Sequence, residues 1–146
     1  MHAPEHYRLL NQPIEAQSIC LDVLAIDPNR QRAIRVLMLA MTDEFKSGTS
    51  SINRAKEYAN RLTDEYERFY YNGIIAERYT RALLTKGPSA VFGYDGFREA
   101  MEWFEKATET RPQGNDDSIL RWNACVRTIQ TQNLRPRPVE VELGLE

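Results

Sequence analysis

Residues 97–112 read FREAMEWFEKATETRP, and this stretch decides the fold. Its apolar and small residues recur at intervals of three and four, which places them on one face of a helix. They are Phe97, Ala100, Met101, Phe104 and Ala107. Pro112 ends this helix. Because the alanines allow another helix to approach closely, and because one helix cannot bury such a face alone, the chain must contain partner helices.

The same spacing predicts six further helices and no strand before the C-terminal tail. They cover His6–Leu10, Ile14–Ile26, Arg30–Lys46, Ile52–Leu62, Glu65–Leu84 and Asp116–Gln132. Pro13 starts the second helix, and Asp64 with Glu67 has the spacing of an N-terminal cap. Gly73 interrupts the apolar face of the fifth helix, and close helix packing is the natural reason for a glycine there.

Residues 85–96, TKGPSAVFGYDG, are predicted to form a loop, because they contain three glycines and one proline. Asp95 would then cap the helix that follows. Two aromatic residues in this segment, Phe92 and Tyr94, leave two interpretations open. They could anchor a partner, or they could fold back and close a groove.

The chain is expected to form one domain over residues 1–133, followed by an extended or disordered tail over residues 134–146. Arg135-Pro136-Arg137-Pro138 favours an extended backbone, and VEVELGLE alternates as a strand does. That alternating segment could add to the edge of a partner's sheet.

Composition narrows the class of protein. The chain has 146 residues, of which 42% are hydrophobic and 27% charged, with a net charge of −2. This is the composition of a globular domain, and the near-neutral balance argues against a nucleic-acid partner. No apolar run is long enough to span a membrane, so a cytoplasmic protein without a membrane partner is expected. Cys20 and Cys125 lie on apolar helical faces and are predicted to be free core thiols.

A repeat is visible in two of the helices. Ala16, Cys20, Val23 and Pro28 are spaced by 0, 4, 7 and 12 residues. Ala100, Phe104, Ala107 and Pro112 have the same offsets. Helix pairs that recur with such a motif are typical of a helical solenoid.

On these residues the chain resembles the tetratricopeptide repeat (TPR) family. The resemblance covers roughly residues 6–132 and is most specific in Phe97–Pro112, with Gly73 at the small position of the preceding helix. In the second unit Met38 replaces a small residue and Ala55 lies about five residues late. About 15 extra residues fall around residues 85–96. The resemblance implies an all-α fold: a TPR-like right-handed α-solenoid of about three helix-turn-helix units with a C-terminal capping helix.

Such folds are most often protein or peptide docking surfaces, and the resemblance also implies which residues line the concave groove. These are Arg32, Arg35, Leu39, Asp43, Tyr70, Ile74, Glu77, Arg78, Asn123 and Arg127. The set combines guanidinium groups, which suit carboxylates, with apolar and aromatic anchors. The Lys and Asn with which some TPR proteins clamp a C-terminal carboxylate are absent from the matching positions, so a binder of chaperone tails is not expected.

Catalysis finds little support in the sequence. The two histidines, His2 and His6, are four residues apart, but Pro4 lies between them and no cluster of further ligands follows. Glycine-rich phosphate loops and nucleophile elbows are missing. We therefore expect no enzyme, no catalytic residue, no cofactor and no metal. The expected function is a protein-interaction scaffold. Two alternatives are kept. The chain could be a structural or regulatory domain whose groove is closed by residues 85–96, or it could be a subunit of an oligomeric assembly, for example of a homodimer.

Overall fold

The computed structural model describes residues 4–9, 12–48, 51–87 and 90–138, and all regular structure in these residues is helical. The helices are α1 (Pro4–Leu9), α2 (Pro13–Ile26), α3 (Gln31–Asp43), α4 (Ile52–Ala59), α5 (Glu65–Lys86), α6 (Ala90–Thr110) and α7 (Asp117–Thr131). A short 3-10 turn, Phe45–Ser47, follows α3. The all-α prediction is confirmed for this part of the chain.

Each helix packs mainly on the helices before and after it in the chain, and α3 also touches both α1 and α5. Two apolar clusters result. The first lies among α2, α3, α4 and α5 and includes the fully buried Ile34, Leu37 and Met38. The second joins α5, α6 and α7 around Phe97 and Phe104. Helices α1, α3 and α5 therefore lie next to one another, and every helix contacts its neighbours in the chain.

The stretch from Phe97 to Pro112 behaves as predicted. All five residues of its predicted inner face are at most 2% exposed. Four of them, Phe97, Ala100, Met101 and Phe104, belong to the second cluster. The helix ends at Thr110, two residues before Pro112.

The loop predicted over Thr85–Gly96 is wrong. Helix α5 continues to Lys86, and α6 begins at Ala90, so nine of the twelve residues of the predicted loop are helical. Residues 88 and 89 lie outside the described residues. Asp95 lies inside α6 and cannot cap it. The extra residues relative to the TPR pattern lengthen two helices instead of forming a loop.

Two of the three glycines that suggested a loop, Gly93 and Gly96, are closely packed against residues outside α6. A Cβ on Gly96 would lie 2.1 Å from Thr80 Oγ1 on α5, and one on Gly93 would lie 3.0 Å from Leu134 Cδ1. Gly73 on α5 has the same role, because its Cβ would lie 2.5 Å from the Phe104 ring. A glycine inside a helix costs about 1 kcal/mol relative to alanine. Here that cost is offset by the close approach of α5 and α6, which confirms the reason predicted for Gly73.

Two helices, α4 and α5, begin at the predicted residue, and in both a side chain caps the N-terminus. Ser51 accepts a hydrogen bond from the Arg54 amide at 3.5 Å, and Asp64 accepts one from the Glu67 amide at 3.1 Å. Two helices end three residues earlier than predicted. Helix α3 ends at Asp43 instead of Lys46, where the 3-10 turn follows, and α4 ends at Ala59 instead of Leu62.

Both cysteines are free and buried, as predicted. Leu134 is also buried, and it packs in the second cluster, whereas residues 135–138 are exposed and have no regular structure. The alternating segment that begins at Val139 lies outside the described residues, so the division at residue 133 stays a prediction. None of the helices in the described ranges has the length and apolar character needed to cross a bilayer.

Gly96→Ala tests the close approach of α5 and α6. The added methyl would overlap Thr80, and overpacking of this kind typically costs about 1–3 kcal/mol. We expect this loss to exceed the gain of about 1 kcal/mol that alanine brings to a helix. The free energy of unfolding, measured by urea denaturation, should therefore fall. In a Thr80→Ala background the same substitution should cost less, and a Gly96→Ala protein as stable as the wild type would contradict the packing.

The buried thiols predict how stability depends on pH. Burial, helped by Glu5 near Cys20 and by Glu77 near Cys125, raises the pKa of each thiol from 9.0 to about 12. At pH 9–12 only the unfolded chain loses these protons. The contribution of the two thiols to the free energy of unfolding is therefore at its full value below pH 9. Their contribution is lost as the pH rises toward 12, by up to about 1.4 kcal/mol per pH unit for each thiol.

The measurement is urea unfolding at pH 8, 9, 10 and 11 in the presence of a reducing agent. Wild type should lose stability more steeply above pH 9 than the Cys20→Ala/Cys125→Ala variant, which lacks both thiols. Equal slopes for the two proteins would show that the thiols are not buried.

Candidate functional site

Charged side chains join the alternate helices on one face of the stack. Glu5 of α1 pairs with Arg32 of α3. Arg35, one turn further along α3, donates from Nη1 to both carboxylate oxygens of Glu67 on α5 at 3.1 Å. In each of these two pairs one carboxylate meets one guanidinium group, so the pairs are electrically balanced.

Further along the same face, two arginines share Asp43, at the end of α3. Arg8 Nε of α1 lies 2.8 Å from Asp43 Oδ2, and Arg78 Nη1 of α5 lies 3.5 Å from Oδ1. Arg78 Nη1 also donates to Thr42 Oγ1 at 2.8 Å, and that hydroxyl donates to the Leu39 carbonyl at 2.6 Å. These contacts hold two guanidinium groups beside a single carboxylate.

Glu77, next to Arg78 on α5, is shared in the same way. Its side chain is 4% exposed, and Oε2 lies 3.1 Å from Arg81 Nε and 3.7 Å from Arg121 Nη1 of α7. The Cys125 thiol faces Oε1 at 3.9 Å. Arg81 also donates to Thr128 Oγ1 at 3.1 Å. Glu77 is therefore a buried carboxylate that holds two partly exposed arginines.

Helical spacing explains how the sequence builds this second centre. Arg121, Cys125 and Thr128 are separated by four and three residues, so they form one stripe of α7. Glu77 and Arg81 are four residues apart on α5 and meet that stripe. The Arg81 guanidinium also lies over the Phe97 ring, 5.1 Å from its centroid, which ties the charged face to the apolar core.

An open pocket of about 600 Å³ lies at the first centre. Its described lining consists of Arg8, Thr42, Asp43, Lys46, Arg78, Arg81 and Ala82. We call it the basic pocket, because four cationic side chains and one carboxylate line it. Three helices, α1, α3 and α5, contribute to it, together with the 3-10 turn that carries Lys46.

Burial and neighbouring positive charge act together on Arg78. Burial lowers the pKa of its guanidinium, the charges of Arg8 and Arg121 lower it further, and Asp43 and Glu77 only partly oppose them. Burial also lowers the pKa of Arg121, but a hydrogen bond with Tyr70 and the charge of Glu77 outweigh it, so that pKa is raised. Both groups are cations at neutral pH, and the site holds more positive than negative charge.

The structure brings together only part of the predicted groove. Asp43 and Arg78 line the basic pocket, and Glu77 lies beside it. Ile74 is 3% exposed and belongs to the second apolar cluster, so no partner reaches it in this structure. Leu39 is half-buried and touches both clusters.

The other predicted residues lie outside the described lining of the pocket. Arg32 and Arg35 are held in the balanced pairs, and Tyr70 is half-buried against Tyr66, Tyr71 and Phe104. On α7, Asn123 is half-buried and Arg127 is exposed. On α6, Tyr94 packs against the second cluster. Phe92 is 62% exposed and borders a separate depression of about 270 Å³ with Leu83 and Leu84, so it does not close the basic pocket.

Four basic residues of the site were missed by sequence reasoning: Arg8, Lys46, Arg81 and Arg121. A signal existed for Arg81, since it follows Glu77 by four residues and Arg78 by three, and so continues the predicted face of α5. Arg8 and Arg121 had no such signal. They lie 35 and 44 residues from the carboxylates they meet, and only the packing of alternate helices brings them there.

Within the described ranges no three His, Cys, Asp or Glu side chains come together as a metal site would require. Searches of protein-family models, of curated proteins and of solved structures each find no match to the chain.

Glu77→Gln tests the buried centre. The substitution keeps the shape but leaves Arg81 and Arg121 facing each other without a negative charge. A hydrogen bond to a charged group is worth about 1.5–3 kcal/mol, and we expect a loss of about that size in the free energy of unfolding. Glu99→Gln is the matched control. Glu99 is 52% exposed and its Oε1 lies 3.8 Å from Lys56 Nζ, and exposed ion pairs of this kind contribute about 0–1 kcal/mol. Equal losses in the two variants, measured by urea denaturation, would show that Glu77 has no special role.

Proposed function

We propose that this chain is a non-enzymatic protein-interaction module, and that it docks a protein or peptide partner on the face formed by α1, α3, α5 and α7. The observation that carries the proposal is the basic pocket, where four cationic side chains from α1, α5 and the 3-10 turn line the same space as one carboxylate. A surface that served only to hold these helices together would need no such excess of cations. Arginine is also frequent among the residues that anchor protein interfaces.

The proposal includes a TPR-like right-handed solenoid of about three helix-turn-helix units, with α7 as the capping helix, in a cytoplasmic protein. Its support is the packing order: successive helices stack, and α1, α3 and α5 lie side by side, as the first helices of such units do. The buried Ala100, Phe104 and Ala107 of α6 match the packing positions of the repeat.

Closure of the groove by residues 85–96 has lost its support. Residues 85, 86 and 90–96 belong to helices, and Phe92 does not enter the basic pocket. An assembly of identical subunits remains an alternative outcome of the test below, with the depression beside Leu83 and Phe92 as its contact.

The test is quantitative affinity capture from the native cell extract with three baits: the wild type, Arg8→Glu/Lys46→Glu and Arg30→Glu/Arg54→Glu. The two double variants change the net charge equally, but Arg30 and Arg54 are exposed and lie outside the described lining of the pocket. We expect at least one protein to bind the wild type and the control and to be lost with the pocket variant. That protein is then produced in pure form, and its binding to the same three baits is measured by calorimetry.

Circular dichroism and thermal unfolding establish that the pocket variant is folded, and Lys46→Glu alone serves if it is not, because Lys46 is exposed. Partners that bind all three baits equally would place docking elsewhere on the molecule. Recovery of the chain itself as the only specific partner, with a dimer in light scattering, would favour the assembly subunit.

A further inference from the structure

Two arginines share one carboxylate at two neighbouring places on the same face. Arg8 and Arg78 meet at Asp43, and Arg81 and Arg121 meet at Glu77. The four guanidinium groups and two carboxylates leave a local charge of about +2 at neutral pH. Lys46, on the lining of the basic pocket, adds another positive charge.

The guanidinium groups are held in place, but their hydrogen bonds within the described residues do not use all of their N–H donors. Each has five N–H bonds. Within the described residues, the hydrogen bonds of Arg78 use only Nη1, toward Thr42 and Asp43. Arg8 donates to Asp43 from Nη2, with Nε alongside the other carboxylate oxygen. These side chains are already held in place by Thr42, Asp43 and Glu77. Binding of a ligand would therefore cost little of their conformational entropy.

We propose that the basic pocket binds an acidic peptide segment, whose Asp or Glu carboxylates lie between the paired arginines and against Lys46. This inference rests on the proposed docking function and specifies the partner: a protein with an exposed acidic segment. Carboxylates accept bidentate hydrogen bonds from guanidinium groups, and one carboxylate at each centre would bring the ratio of arginine to carboxylate to one.

The geometry favours a peptide over other anions. The pocket is open, measures about 600 Å³ and draws its cations from two helices, α1 and α5, and from the turn that carries Lys46, which suits several separated charges better than one compact phosphate. The net charge of the whole protein is −2, so attraction of an anion to this face is local and comes from the cations of the pocket.

The electrostatics of Arg78 agree with this placement. Its pKa is lowered by burial and then by Arg8 and Arg121, which means that bringing these groups together costs free energy in the empty site. A carboxylate bound between them would remove that repulsion.

The experiment is fluorescence anisotropy with labelled peptides of about ten residues, one of Glu and Ser and one of Lys and Ser. We expect the acidic peptide alone to bind, and its affinity to fall as salt is raised, because the contacts are screened. Lys46→Glu and Arg8→Gln should each weaken binding by about tenfold or more. Arg30→Glu, a charge change outside the pocket, should leave it within about twofold of the wild type.

Three results would overturn the inference: no binding of the acidic peptide at low salt, equal weakening by Arg30→Glu and Lys46→Glu, or tighter pocket-dependent binding of inorganic phosphate, an RNA oligonucleotide or phosphatidylserine vesicles. Failure here is separable from failure of the proposed function. A captured protein that needs the pocket but is not displaced by the acidic peptide would preserve docking and refute the acidic segment. If the acidic peptide binds the pocket but the capture yields no protein that needs the pocket, the preference for an acidic segment is kept and the docking function is refuted.

Discussion

The close approach of α5 and α6 is the constraint on which the rest of the structure depends. Gly73 receives the ring of Phe104, and Gly96 receives the side chain of Thr80, so each helix supplies one glycine and one filling side chain. The two contacts are separated by about seven or eight residues along each helix, or roughly 11 Å at the rise of an α-helix. A helix pair fastened at two levels cannot slide or rotate freely. Since α3 packs on one side of this pair and α7 on the other, its geometry sets theirs.

That fixed pair also explains why the charged face can be built at all. Glu77, Arg78 and Arg81 lie on the part of α5 that follows the Gly73 contact and brackets the Thr80 contact. The backbone that carries them is therefore held by the core. Arg81 reaches back over Phe97, and the Cys125 thiol lies against Glu77, so the buried carboxylate is enclosed by groups of α5, α6 and α7. The loss of a carboxylate here leaves two cations in partly dry surroundings, which is costly in any protein.

The sequence predicted the helices and their buried faces well, and the reason is physical. In Phe97–Thr110 helical spacing, small residues and burial all agree, so local and tertiary preferences point the same way. Residues 85–96 are the reverse case. Gly93 and Gly96 are poor helix formers, and only contact with Leu134 and Thr80 makes helix the better choice. The candidate site divides similarly. Asp43 and Arg78 were among the groove residues that the TPR resemblance implies, whereas Arg8 and Arg121 meet their carboxylates through helices that no local pattern relates.

The charged face contains two kinds of contact. Some ion pairs are electrically balanced and link two helices, and others carry more arginine than carboxylate. At Arg35 and Glu67, one guanidinium meets one carboxylate, and such a pair links α3 to α5 without surplus charge. At Asp43, Arg8 of α1 and Arg78 of α5 share one carboxylate of α3, so three helices are linked with one positive charge in surplus. Burial lowers the pKa of Arg78, and repulsion from the charge of Arg8 lowers it further. A near-neutral chain thus carries a concentrated local excess of positive charge, and a carboxylate supplied from outside is the simplest group that balances it.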